Sequence, residues 1–207
     1  LPLYIFCGDF LLGARLRPSN IDASVGCVEE LERIAAQVRA AWPEVRIVVR
    51  GDSGFCREEL MVWCEQHPVD YVLGLAKNER LKAEIATELE QAASAYAATG
   101  QTARVFKEFT YQTRQSWSRA RRVVAKAEHL EKGSNPRFVV TSLAPQAWGA
   151  RRLYEELYCA RGEMENRIKE QLSLFADRTS TALLRSNQVR LYFSSVAYLL
   201  MEALRRL

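Results

Sequence analysis

The chain has 207 residues, 48% hydrophobic and 26% charged, with a net charge of +4. That length suits one sizeable domain, and the balance excludes a disordered chain. No apolar run reaches the ~18 residues of a membrane span, and no signal peptide is visible. Five cysteines with no C-x-x-C pair point to free, mostly buried thiols in a reducing compartment.

The chain opens Leu1-Pro2-Leu3-Tyr4 with no Met, inside what reads as a strand, so it is expected to be the N-terminally cut part of a longer protein. Apolar runs at 2–7 and 10–17, parted by Gly8-Asp9, predict a β-hairpin. Val28, Leu31, Ala35, Val38 and Trp42 recur at helical spacing until Pro43. A β-branched run at 45–50 ends in Gly51-Asp52-Ser53-Gly54-Phe55. A short helix over 57–67 and a strand over 69–76 follow. The alternation predicts a mixed α/β sheet. Asn78 opens a helix expected to run to about 98. Residues 103–112 and 119–128 alternate apolar with polar and read as a β-rich insertion, about 101–135. A Val-rich strand at 136–143 precedes a long helix over 146–175 and a final helix over 186–206. The stretch 189–204 reads as a buried amphipathic helix.

Charge is uneven. Residues 104–132 hold eight Lys/Arg against three Glu, a local +5, and residues 178–207 hold five Arg against one Glu. Basic segments of this kind can meet phosphate backbones.

In the long helix, Tyr158, Arg161, Glu165 and Lys169 fall within an arc of about 60° at 100° per residue. Leu153, Leu157, Met164, Ile168 and Phe175 make an apolar stripe beside them. A phenol, a guanidinium, a carboxylate and an ammonium along the edge of a core suit an active-site cleft. The plain alternative is a solvated helix with a Glu165–Lys169 pair four residues apart.

Asp52 follows a strand at the edge where open α/β sheets bind ligands, and glycines on both sides leave the backbone room. It can be a metal ligand or simply a turn residue. Gly51-Asp52-Ser53-Gly54 also resembles the nucleophile signature of trypsin-like proteases. That chemistry needs an earlier histidine, and His67 and His129 both come later. Scarce histidine leaves carboxylates as the reactive groups, and hard oxygen donors favour Mg²⁺ or Mn²⁺.

The stretch Val48-Val49-Arg50-Gly51-Asp52-Ser53-Gly54-Phe55, with Asp70-Tyr71-Val72-Leu73-Gly74-Leu75-Ala76-Lys77-Asn78, resembles the second-aspartate region of insertion-sequence DDE transposases. Tyr158, Arg161 and Glu165 match the Tyr-x-x-Arg-x-x-x-Glu spacing of the Tyr-Arg-Glu-Lys subgroup, and Lys169 matches its nearer lysine. Leu172 stands at the farther lysine position. Leu174 to Ser180 resembles the family too.

The resemblance implies an RNase H-like mixed sheet flanked by helices, spanning 1–207, with the β-rich insertion before the final catalytic helix. It implies a magnesium- or manganese-dependent enzyme whose metal ligands include Asp52 and Glu165. Tyr158, Arg161 and Lys169 would grip DNA at the scissile phosphate, and the insertion, with Arg119, Arg121 and Arg122, would contact transposon-end DNA. The implied partners are double-stranded transposon and target DNA and a second copy in a synaptic homodimer, in the bacterial cytoplasm at the nucleoid.

The family's first aspartate lies on a strand preceding the hairpin. Asp9, in the hairpin turn, and Asp22, after the second strand, do not replace it, so the polypeptide is expected to be inactive. A non-catalytic DNA-binding remnant, or an RNase H-like nuclease without strand transfer, are the other readings.

Overall fold

The structure is a computed structural model that describes residues 1–178 and 180–207; the side chain of Phe175 is left undescribed. Thr179 of the Leu174–Ser180 motif and the Phe175 side chain of the apolar stripe therefore lie outside the described residues. The chain divides into two compact units, Leu1–Val45 with Arg161–Leu207, and Arg46–Ala160.

In the first unit, β1 (Pro2–Cys7) and β2 (Phe10–Leu16) form the expected antiparallel hairpin, with Cys7 opposite Phe10. Gly8 turns it at φ 57°, a conformation open to glycine at little cost. Helix α1 (Cys27–Ala41) buries Cys27, Leu31, Ile34 and Ala35. Trp42, counted into that stripe from spacing, lies beyond the helix and is exposed.

Helix α7 (Leu184–Leu204) packs on β2. Gln188 bonds the strand like another strand, accepting from the Leu16 N–H at 2.6 Å and donating to the Ala14 carbonyl at 3.1 Å. Helix α7 corrects the expectation of a buried amphipathic helix. It buries its polar side, Asn187, Ser194, Ser195 and Glu202, with Leu191 and Tyr198. Val189, Phe193, Val196, Leu200 and Leu204 are exposed. The cause is hydrogen bonding. Ser194 donates to the Gln171 carbonyl at 3.0 Å, and the Tyr198 hydroxyl donates to the Asp9 carbonyl at 2.8 Å, so the polar face finds partners inside.

In the second unit, β3 (Val48–Gly51), β4 (Asp70–Leu75), β8 (Arg137–Thr141), β6 (Arg121–Leu130) and β5 (Ala103–Tyr111) lie side by side in that order, and β7 (Gly133–Ser134) pairs with β6. β3 and β4 run parallel, Gly51 opposite Leu73; the other pairings are antiparallel. The β-rich segment is not free-standing. β6 pairs with β8 from Arg122–Thr141 to Lys126–Arg137 and so widens the main sheet.

Residues alternate between faces along each strand. Val72, Val124 and Val139 meet Leu143, Leu153 and Tyr154 on one face. On the other, Lys107 of β5 donates to the Glu84 carbonyl at 2.6 Å and pairs with Glu88 at 3.2 Å, tying down α3 (Glu79–Glu84) and α4 (Ala86–Thr99). The helix expected from Asn78 is thus two, broken at the buried Ile85. Helix α2 (Glu58–Gln66) packs on β4. A mixed sheet flanked by helices is consistent with an RNase H-like arrangement.

The expected helix over 146–175 is the largest local departure. A turn of α5 (Ala150–Arg152) becomes a π-helix, Leu153–Tyr158, then a 3₁₀ turn, Cys159–Arg161. Helix α6 (Gly162–Gln171) and a second π turn, Leu172–Ala176, follow. Each π turn adds a residue to the period, so a wheel drawn at 3.6 loses its phase there.

Candidate active site

β3 and β4 are parallel neighbours, so their C-terminal ends share one edge of the sheet. Asp52 follows β3 directly and is exposed. Its Oδ1 accepts the Gly54 N–H at 2.8 Å and its carbonyl accepts the Phe55 N–H at 3.2 Å. The turn role weighed for Asp52 is therefore real. It occupies one carboxylate oxygen and fixes the side chain without burying it.

Next to this turn, Gly74 of β4 has no room for a side chain. A Cβ there would stand 2.6 Å from the Tyr158 hydroxyl, 2.9 Å from the Ser53 nitrogen and 3.2 Å from the Asp52 carbonyl carbon. The Tyr158 hydroxyl and the Asp52–Ser53 peptide thus converge on one point of the sheet. The Tyr158 ring rests against Tyr154 at 5.4 Å between centroids. Arg50, at the end of β3, donates from Nη1 to the Leu157 carbonyl at 3.1 Å. Asp52 and Tyr158, read from separate motifs, are brought together within one unit.

Arg161, Glu165 and Lys169 belong to the other unit. Arg161 Nη1 lies 3.7 Å from Glu165 Oε1, while Glu165 keeps 61% of its side chain exposed. The cation beside Glu165 is Arg161, not the Lys169 of the plain alternative. Tyr158 sits in the π turn, out of phase with these three, so the file of four side chains is not a single α-helical row.

The arginines of β6 already have partners within the protein. Arg121 is 2% exposed at its side chain, bonds Glu58 and Glu65, and lies over Trp117 at 5.6 Å. Arg122 is half-buried, pairs with Glu108, and donates to the Leu143 and Trp148 carbonyls at 2.7 and 2.8 Å. A phosphate contact would pull either one away from bonds it already makes, at the cost of buried acceptors. Both guanidinium groups hold other parts of the fold together through these bonds. Arg119 differs, since it pairs with Glu65 at 2.8 Å but leaves 60% of its side chain exposed.

Two other acids are engaged elsewhere. Asp9 pairs with Arg167 and approaches Arg206 at 3.8 Å. Asp22 holds the backbone N–H and hydroxyl of Ser24 at 2.8 and 2.7 Å. His67 and His129 are half-buried against Trp63 and Tyr96. Cys27 and Cys64 are buried thiols outside any disulfide, but Cys7 and Cys159 are exposed, against the expectation of mostly buried thiols, and burial pushes the Cys56 thiol up to about 11 despite the cations Arg57 and Arg121 nearby.

Asp52 and Glu165 are exposed carboxylates, the hard donors that suit Mg²⁺ or Mn²⁺. Among the described residues, no cluster of three or more His, Cys, Asp or Glu side chains forms. No helix among them is long and apolar enough to cross a membrane. Arg50 and Gly74 were missed as site residues. The signal was present for Gly74, because a glycine inside a Val/Leu strand marks a close approach.

Compared with known proteins, the chain matches the family model described as transposase DDE domain, group 1, over residues 1–207. No curated protein matches it.

Proposed function

The chain belongs to the DDE-domain transposases, enzymes of DNA transposition, and from that premise we propose that it is the catalytic domain of an insertion-sequence transposase of the Tyr-Arg-Glu-Lys subgroup. Its reaction is divalent-metal-dependent cleavage of a phosphodiester at the transposon end, followed by strand transfer. The observation that carries this reading is the convergence of Tyr158 and the Asp52 turn at Gly74, which unites two regions of the family pattern in one place.

Asp52 and Glu165 would hold the metal. When bound, divalent cations supply activation of the attacking oxygen and stabilisation of the leaving one. Asp52 meets this with a carboxylate already oriented by the Gly54 N–H. The Tyr158 hydroxyl donates to a non-bridging phosphate oxygen. Arg161 offers a planar fork for the same backbone and Lys169 a point charge. Arg119 adds an exposed contact to flanking DNA. We place the reaction in a synaptic homodimer at the bacterial nucleoid, and treat residues 1–207 as one RNase H-like domain with its β-rich insertion.

Asp9 and Asp22 are committed to local bonds, so neither supplies the family's first aspartate. The test uses a transposase that carries this domain with the first aspartate present. Asp52→Ala and Glu165→Ala should each abolish Mg²⁺-dependent cleavage of transposon ends, and normal cleavage by either variant sinks the assignment. Salt-dependent DNA binding with no cleavage by the parent enzyme would mark a non-catalytic remnant, and cleavage without joined products a nuclease.

A further inference from the structure

The motif Asp70–Asn78 contributes a glycine to the site but no reacting group, and the arginine of Val48–Phe55 is likewise unassigned. We propose that Gly74 and Arg50 are positioning residues that seat the Tyr158 hydroxyl beside Asp52; the proposal rests on the reading of Asp52 and Tyr158 as active-site residues.

Gly74 does so by space, not by conformation, for its φ is not in the left-handed region. A methyl group there would meet the Tyr158 oxygen at 2.6 Å and the Ser53 nitrogen at 2.9 Å. Both are shorter than van der Waals contact allows, and the second neighbour is backbone. Any side chain at position 74 must push Tyr158 away or shift the Asp52 turn. Arg50 works from the other side. Its guanidinium holds the Leu157 carbonyl at 3.1 Å, where the helix has left regular α-geometry for a π turn. The residue before Tyr158 is thereby tied to the strand that leads into Asp52. Two independent contacts, one steric and one polar, fix the same phenol relative to the same carboxylate turn. A misplacement of about 1 Å in such a site can cost 100-fold in rate.

The test follows Tyr158 directly. The chain is labelled with 3-fluorotyrosine at its eight tyrosines, and the Tyr158 fluorine resonance is identified by its loss in Tyr158→Phe. Gly74→Ala should move that resonance while those of Tyr111 and Tyr198 stay in place, and Arg50→Ala should move it in the same protein background. In the cleavage-competent transposase, Gly74→Ala should lower cleavage about 100-fold with DNA binding retained. An unmoved Tyr158 resonance in folded Gly74→Ala protein overturns the proposal. If that variant does not fold, the exposed Arg50→Ala decides in its place, and an unmoved resonance there overturns it equally. Should Gly74→Ala move the resonance while Asp52→Ala cleaves normally, the seat stands and the active-site assignment falls.

Discussion

The guanidinium of Arg121 on β6 grips Glu65 on α2 with two hydrogen bonds, Nε to Oε1 at 2.8 Å and Nη2 to Oε2 at 3.1 Å. The same group reaches Glu58, about two turns earlier on that helix, at 2.7 and 3.2 Å. Glu58 in turn accepts the Ser118 N–H at 3.0 Å and Glu65 accepts the Tyr71 hydroxyl at 2.8 Å. One buried cation thus joins a helix, two strands and the loop carrying Trp117. Arg121→Met should leave Glu58 without its buried cation and Glu65 with the exposed Arg119 in its place. Because both keep some contact with water, the loss should fall at the low end for a broken buried pair, about 3 kcal/mol. Urea unfolding should show a lower midpoint with an unchanged slope.

The same cluster sets an acid limit on stability. Burial pulls the Glu65 carboxyl up, but hydrogen bonds from Arg121, Arg119 and Tyr71 outweigh it and hold it at about 2. Glu58 is also lowered, burial again being outweighed by Arg121 and Ser118. In the unfolded chain a glutamate titrates near ~4.3. The stabilisation is therefore fully present above that value and is lost as pH falls toward about 2 for Glu65. Melting temperature followed from pH 6 to pH 2 should decline below about 4.3 in the wild type, and Arg121→Met should flatten that decline.

Asp52 allows its two roles to be separated. Asparagine retains an Oδ1 that can accept the Gly54 N–H but loses the negative charge a metal requires. Asp52→Asn should keep the melting temperature of the wild type while abolishing Mg²⁺-dependent cleavage in the cleavage-competent transposase. A variant that unfolds early yet cleaves normally would show Asp52 to be a turn residue only.

DNA binding should distinguish the arginines of the 119–122 segment. Arg119, with 60% of its side chain exposed, should contribute one phosphate contact. Arg119→Ala is expected to reduce the slope of log affinity against log salt by about one unit. Arg122→Ala should leave that slope unchanged and lower the melting temperature instead, since Arg122 serves the Leu143 and Trp148 carbonyls. Fluorescence anisotropy over a salt series, with thermal melts of the same proteins, measures both.

By itself the sequence determined the order and kind of most elements, because those follow from local pattern. The apolar runs at 2–7 and 10–17 and the Gly8-Asp9 turn predict the hairpin, and the β-branched run at 45–50 and the apolar stretch at 69–76 predict the strands found at Val48–Gly51 and Asp70–Leu75. It also singled out Asp52 and Tyr158, through residue types that chemistry needs at recognisable spacing. Only the tertiary structure decided how partners are shared. Arg121 and Arg122 look in sequence like any basic pair, and their commitment to Glu58, Glu65 and Glu108 depends on residues distant along the chain. The inverted burial of α7 has the same origin, for Ser194 and Tyr198 are drawn inward by acceptors at Gln171 and Asp9. The π turn at Leu153–Tyr158 breaks the 3.6-residue period on which a helical wheel depends. Gly74 and Arg50 acquire meaning only when β4 and the Leu157–Tyr158 turn meet, since a close approach is a property of two chain segments and is written in neither alone.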